Sequence, residues 1–226
     1  MRKIQLVLVA LIVLILSAFK ADHVITIYMI GDSTMSNKPL EGNNQERGWG
    51  HVLGSFFTED VRVENHAMNG RSSKSFIDEG RWKTVVNKIR PGDYVFIQFG
   101  HNDEKPQPER HTDPGTTFDE NLRKFVRETR AKGGIPVLFN SIVRRNFGVN
   151  PDAVAADDIR PEKDEAVVEG DTLIDTHGKY LESPRNVAKE MDVCFIDLNQ
   201  ATKKLVESYG VEGSKKLFMW IPADTY

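Results

Sequence analysis

The sequence predicts a doubly wound α/β domain, in which helices cover both faces of a parallel sheet. Strand-like apolar runs recur along the chain, they are continuous rather than alternating, and helical patterns separate them. A chain of 226 residues, 39% hydrophobic and 28% charged, is long enough for one such domain with a substantial core. Its formal net charge is -3. No basic patch of the kind that binds nucleic acid stands out, and no charge run argues for a tail.

The first residues stand outside the fold. Arg2 and Lys3 precede an unbroken apolar run from Leu6 to Leu16, and small residues follow at Ser17, Ala18 and Ala21. That is the shape of a secretory signal peptide, and the run is short for a membrane span, which needs about 20 apolar residues. Residues 1–21 are therefore expected to be a signal peptide and residues 22–226 the folded domain. The protein is expected to be secreted or periplasmic, without stable membrane association once the signal is cleaved.

Five runs read as strands: Val24–Ile30, Val61–Asn65, Tyr94–Phe99, Ile135–Phe139 and Val193–Asp197. After the first, "GWGHVLGSFF" reads as a weak helix. Trp82, Val85, Val86 and Ile89 follow helical spacing until Pro91-Gly92 ends the pattern. Phe118, Leu122, Phe125, Val126 and Thr129 form a second stripe, with a capping box expected from Thr117 and Glu120 and a stop at Gly133-Gly134. Leu173–Met191 reads as another helix, kinked or restarted at Pro184. Asn199 is the expected cap of a last helix carrying Ala201, Leu205, Val206 and Tyr209. Two loops are long, His101–Thr116 and Ser141 to about Gly170, and loops of that length are usually functional or mobile. Cys194 is the only cysteine, so no internal disulfide can form, and its setting in "VCFIDL" reads as a buried thiol.

In an open parallel sheet, ligands bind beyond the carboxyl ends of the strands. The first strand is followed there by Gly31-Asp32-Ser33, the second by "NHAMNGRSS" with Asn69-Gly70, and the third by "GHND" with Asn102 and Asp103. Acyl transfer needs a hydroxyl to attack a carbonyl carbon and preorganised donors for the oxyanion that develops. Ser33 can supply the hydroxyl. The backbone N–H groups of Ser33 and Gly70 and the carboxamide of Asn102 can supply three donors. Each turn alone is ordinary loop material. Their placement after three successive strands is what points to a site.

These blocks resemble the first three motifs of the SGNH (GDSL-type) hydrolases. "GDSTMS", "RGWG", "NHAMNGRSSKSFIDEGRW" and "GDYVFIQFGHNDEK" are more narrowly similar to rhamnogalacturonan acetylesterases, which remove acetyl groups from pectin. The similarity runs from about Val24 to Tyr226. It implies a three-layer α/β/α fold with a five-stranded, flavodoxin-like sheet, Ser33 as nucleophile, Gly70 and Asn102 in the oxyanion hole, and an acetylated cell-wall polysaccharide as substrate. Met35 stands where the second glycine of a Gly-x-Ser-x-Gly elbow would be, so the motif is not that of the α/β-hydrolases. Arg71, Trp82 and the two long loops are candidate substrate-side elements.

The family's base is a histidine in an Asp-x-x-His motif ahead of the last helix, and no Asp-x-x-His occurs in this chain. The expectation is a C-terminally truncated sequence, with the catalytic dyad and final helix beyond Tyr226. Such a polypeptide should be nearly inactive and poorly folded, with Leu217, Phe218, Met219 and Trp220 exposed. His177, in "IDTHGKY" beside Asp175, is the alternative base. His101 adjoins the pocket, His51 and His66 read as structural, and His111 as a loop residue. No metal set is recognisable among them, so no metal or other cofactor is expected. Three further readings keep other functions open: a non-catalytic glycan-binding remnant, an SGNH esterase for another ester, and a flavodoxin-like phosphate module, against which "GDSTMS" lacks cradle glycines.

Overall fold

The computed structural model describes residues 24–42, 44–147 and 173–218. Its strands are β1 (Ile25–Gly31), β2 (Val61–Asn65), β3 (Tyr94–Gln98), β4 (Ile135–Phe139) and β5 (Cys194–Ile196). They form one sheet in the order β2-β1-β3-β4-β5, every pair parallel. All five expected strands are present, β2 and β4 with the expected bounds and the other three displaced by one residue at one or both ends. Met29 pairs with Asn65 and Gly31 with Gln98, so β1, β2 and β3 end side by side on one rim.

Side chains alternate across β1 and sort the core into two layers. Tyr28 and Ile30 join Val95, Ile97, Phe76, Trp82, Leu122, Phe125 and Val187 on one face. That face is covered by α1 (Ser73–Asp78), α2 (Arg81–Val86), α3 (Thr117–Ala131) and α4 (Glu182–Met191). Ile27 and Met29 pack with Met35, Ala67, Trp49 and Leu53 on the other. A third cluster, Val143, Phe147, Leu173 and Val206, lies beside α5 (Leu198–Gly213), where Gly210 leaves helical geometry. Among the described residues no helix is long and apolar enough to cross a membrane.

Several local expectations give way to tertiary contacts. "GWGHVLGSFF" forms two 3-10 turns, Trp49–His51 and Leu53–Phe56, rather than a helix. The Thr117/Glu120 capping box does not form, because Thr117 Oγ1 accepts from Asp113 N at 2.7 Å and braces the preceding loop. Asp197, not Asn199, caps α5, accepting from Gln200 N at 3.0 Å. Asn199 instead donates to the Ser141 carbonyl and accepts nothing from its own helix's first turn. Only Glu182–Met191 of the Leu173–Met191 run is α-helical. Pro184 sits in its first turn, where a missing N–H costs nothing. Helix α1, unforeseen, is started by a reciprocal Ser72/Ser75 capping box.

Cys194 is exposed rather than buried. β5 is an edge strand of the described sheet, and Cys194 and Ile196 both lie on a face that no described residue covers. Leu217 is exposed, whereas Phe218 packs against the Val206 cluster. The signal-peptide residues, most of the Ser141–Gly170 loop, and Met219 and Trp220 lie outside the described residues.

Candidate active site

The first rim turn is built by Asp32. Its carbonyl accepts from Met35 N and Ser36 N at 3.3 and 3.1 Å, while its Oδ1 accepts from Thr34 N and Thr34 Oγ1 at 2.9 and 2.8 Å. The chain is bent so that Ser33 rides at the apex, half-buried, with its hydroxyl and N–H in no hydrogen bond among the described residues. The "RGWG" segment braces this turn from below. Trp49 N donates to Thr34 O at 2.9 Å, and Gln98 Nε2 to Thr34 Oγ1 at 2.7 Å.

The glycines of that segment are demanded by close approach. A Cβ on Gly48 would stand 2.3 Å from Ser36 O, and one on Gly50 2.6 Å from Met35 O. Gly48→Ala is therefore expected to cost about 1–3 kcal/mol, the usual range for overpacking, and to lower the urea midpoint accordingly. A variant as stable as the parent would show that the nucleophile turn yields freely.

The second turn is tied to the first. Met68 N donates to Gly31 O at 3.0 Å, and Asn69 Oδ1 accepts from Ser36 Oγ and from Lys38 Nζ, each at 2.6 Å. Lys38 is itself buried and paired with Glu46 at 2.6 Å. Gly70 has φ +74°, a left-handed conformation that favours glycine, and the space where a Cβ would stand is open. Its N–H makes no hydrogen bond among the described residues.

The third turn joins the second. Asn102 is buried, donates from Nδ2 to Arg71 O at 3.1 Å, and keeps its other amide hydrogen free of any protein partner among the described residues. Arg110 Nη1 approaches its Oδ1 at 3.4 Å, which fixes the carboxamide with nitrogen towards the second turn. Beside it, Asp103 accepts from Ser73 N at 3.0 Å, Gly100 N at 3.1 Å, Thr112 Oγ1 at 2.9 Å and Ser73 Oγ. Burial pushes its carboxyl up to about 7, against the pull of those donors.

Ser33, Gly70 and Asn102 are thus brought to one rim by bonds running from turn to turn. Other candidates fall elsewhere. Trp82 is a core residue, buried against Phe125 with Nε1 bonded to Glu128 at 2.6 Å, so it is not a substrate-side element. Arg71 stays at the rim, held by Glu79. His177 does not reach Ser33: its Nδ1 lies 3.0 Å from Glu104 Oε2 and its Nε2 3.1 Å from Ile142 O. His51 accepts from Lys38 N, His66 contacts Glu64, and His111 contacts Lys105 O. Among the described residues no imidazole or carboxylate is hydrogen-bonded to Ser33 Oγ. The reading from sequence named Asn69 only as part of the second turn and missed Lys38, so the bonds that Asn69 accepts were not foreseen. Their signal was there only as a lysine and an asparagine close to two rim turns.

Residues 29–211 match the model of the GDSL-like lipase/acylhydrolase family. The chain belongs to that family. By this membership it is a serine esterase with the SGNH hydrolase fold. It is 40% identical over 196 residues to rhamnogalacturonan acetylesterase RhgT of Bacillus subtilis (strain 168), covering 87% of this chain and 74% of the relative. It is 32% identical over 200 residues to the protein named probable rhamnogalacturonan acetylesterase YesY of the same strain, covering 88% and 80%. The crystal structure of protein YxiM from Bacillus subtilis superposes with a TM-score of 0.69 at 26% identity, over 86% of this chain and 49% of that one. The chain therefore spans about half the length of that structure.

Proposed function

We propose that this chain is the core of an exported carbohydrate esterase that removes O-acetyl groups from rhamnogalacturonan. The observation that carries the proposal is the set of bonds linking three rim turns, Met68 N to Gly31 O, Ser36 Oγ to Asn69 Oδ1 and Asn102 Nδ2 to Arg71 O. They gather an unengaged hydroxyl and unengaged donors in one place. Likeness to two rhamnogalacturonan acetylesterases supports the substrate. Arg71 and Arg110 on the same rim suit a polysaccharide that carries uronate carboxylates. The charged, then apolar, then small-residue order of residues 1–21 supports export.

Ser33 Oγ forms a bond to the acetyl carbonyl carbon and gives up its proton to water, since no side-chain base is bonded to it among the described residues. The Ser33 and Gly70 N–H groups and Asn102 Nδ2 hold the oxyanion. The carbon–oxygen bond to the sugar then breaks, the sugar oxygen takes a proton, and water releases acetate from the acyl-enzyme. No base stands on Ser33 among the described residues, and the sequence holds no Asp-x-x-His. The polypeptide of this sequence is therefore a slow esterase that retains nucleophile and donors.

Acetate released from acetylated rhamnogalacturonan, compared with acetylated xylan and a long-chain lipid ester, tests the assignment. Release from the pectic substrate first is expected. Preference for either other ester would move the chain to a different SGNH specificity. Tight binding of the pectic oligosaccharide in calorimetry without any release would favour a glycan-binding role, which the missing base makes the second reading.

A further inference from the structure

His101, Glu104 and His177 stand together beneath the rim, and the acyl-transfer chemistry uses none of them. Each offers a ligand atom, and these atoms lie within 4.8 Å of one another. The two imidazoles meet edge to face with centroids 4.4 Å apart. Both are more than nine-tenths buried, His101 at 6% exposure and His177 at 3%. Among the described residues His101 Nε2 is buried without a hydrogen-bond partner, a costly setting for a ring nitrogen.

The contacts of His177 set it against the second ligand group. Its Nε2 lies 3.1 Å from the Ile142 carbonyl and its Nδ1 3.0 Å from Glu104 Oε2. The ring nitrogen and the carboxylate oxygen stand close enough to share one cation. An N···O separation of this size suits two ligands of one ion at about 2.0–2.2 Å each.

We propose that His101, Glu104 and His177 bind a divalent transition-metal ion of the zinc class. Two imidazoles and one carboxylate are a zinc-type ligand set with a fourth position left over. The surrounding contacts have the form such sites require. The Ile142 carbonyl orients His177 through its other nitrogen, and Arg144 holds the second oxygen of Glu104. The ion joins the turn after β3, which carries His101, Asn102 and Glu104, to the segment ahead of α4. Its role is structural, since neither imidazole is bonded to Ser33. The assignment stands independently of the acyl-transfer reading.

The 226-residue protein, prepared without an affinity tag and stripped with chelator, is titrated with Zn²⁺ and with Co²⁺. One ion per chain is expected, with the visible band of low-coordinate Co²⁺ and a higher melting temperature on binding. X-ray absorption at the zinc edge should show two imidazole ligands and oxygen, without sulfur. His101→Gln and Glu104→Gln should each weaken binding at least as much as loss of an outer-shell partner does, about 10–100-fold. Should these variants fail to fold, the absorption spectrum of the parent protein decides alone. A folded parent that takes up no stoichiometric ion, with nitrogen NMR showing His177 as an imidazolium, overturns the proposal by putting a proton where the metal was placed. Binding that survives both substitutions, or a spectrum lacking imidazole, overturns it as well.

Discussion

Asn102→Ala is expected to lower hydrolysis of a small acetate ester by the 226-residue polypeptide about 10²–10³-fold, whereas Ser33→Ala lowers it less than about tenfold. This ranking is the reverse of that for a complete triad. When nucleophile and base act as a unit, losing either one costs about as much as losing both, roughly 10⁶ in kcat. Ser33 Oγ has no base hydrogen-bonded to it among the described residues, so on the proposal of a slow esterase the loss due to the base is already incurred. What survives in such an enzyme is the residual acceleration from the oxyanion hole and binding. In the proposed mechanism Asn102 belongs to that remainder, and its buried carboxamide is held between Arg71 O at 3.1 Å and Arg110 at 3.4 Å. Initial rates for both variants, with circular dichroism to confirm folding, decide the matter. A loss of 10⁴ or more for Ser33→Ala would mean that a base does reach the serine, and the proposal of a slow esterase would fail.

The strands were legible because a sheet buried on both faces requires unbroken apolar runs, and Tyr94–Gln98 and Ile135–Phe139 could be little else. The rim was legible for a related reason: chain order and parallel topology alone place the ends of β1, β2 and β3 together. Capping was not legible. Thr117 and Asn199 have suitable side chains, but each is drawn to a loop partner outside its helix, a competition decided by tertiary distance. Cys194 misled because "VCFIDL" reads as interior, while β5 lies at an edge that only the strand order reveals. The His101–Glu104–His177 cluster brings His177 to two residues more than 70 positions before it, and no local spacing announces that meeting.

Asp103→Ala is expected to destabilise the protein by about 3–5 kcal/mol, at the upper end of single substitutions. The carboxylate gathers donors from three segments: Ser73 N and Oγ at the start of α1, Thr112 Oγ1 in the loop before α3, and Gly100 N at the end of β3. Alanine leaves these donors buried without an acceptor, at about 1–3 kcal/mol each where water cannot enter. For a chain of this size the melting temperature should fall by about 6–20 °C, at 2–4 °C per kcal/mol. Asp103→Asn separates the carboxylate's shape from its chemistry. It keeps one acceptor oxygen but turns an amide NH₂ towards backbone N–H groups that have nothing to accept with, so an intermediate loss is expected. The opposing effect is desolvation, the same burial that pushes the carboxyl up to about 7. If desolvation wins, Asp103→Ala will lie within about 1 kcal/mol of the parent, because the cost of burying the charge then cancels its bonds. Calorimetric melting of the two variants distinguishes a carboxylate that holds the second and third rim turns in register from one that is merely tolerated between them.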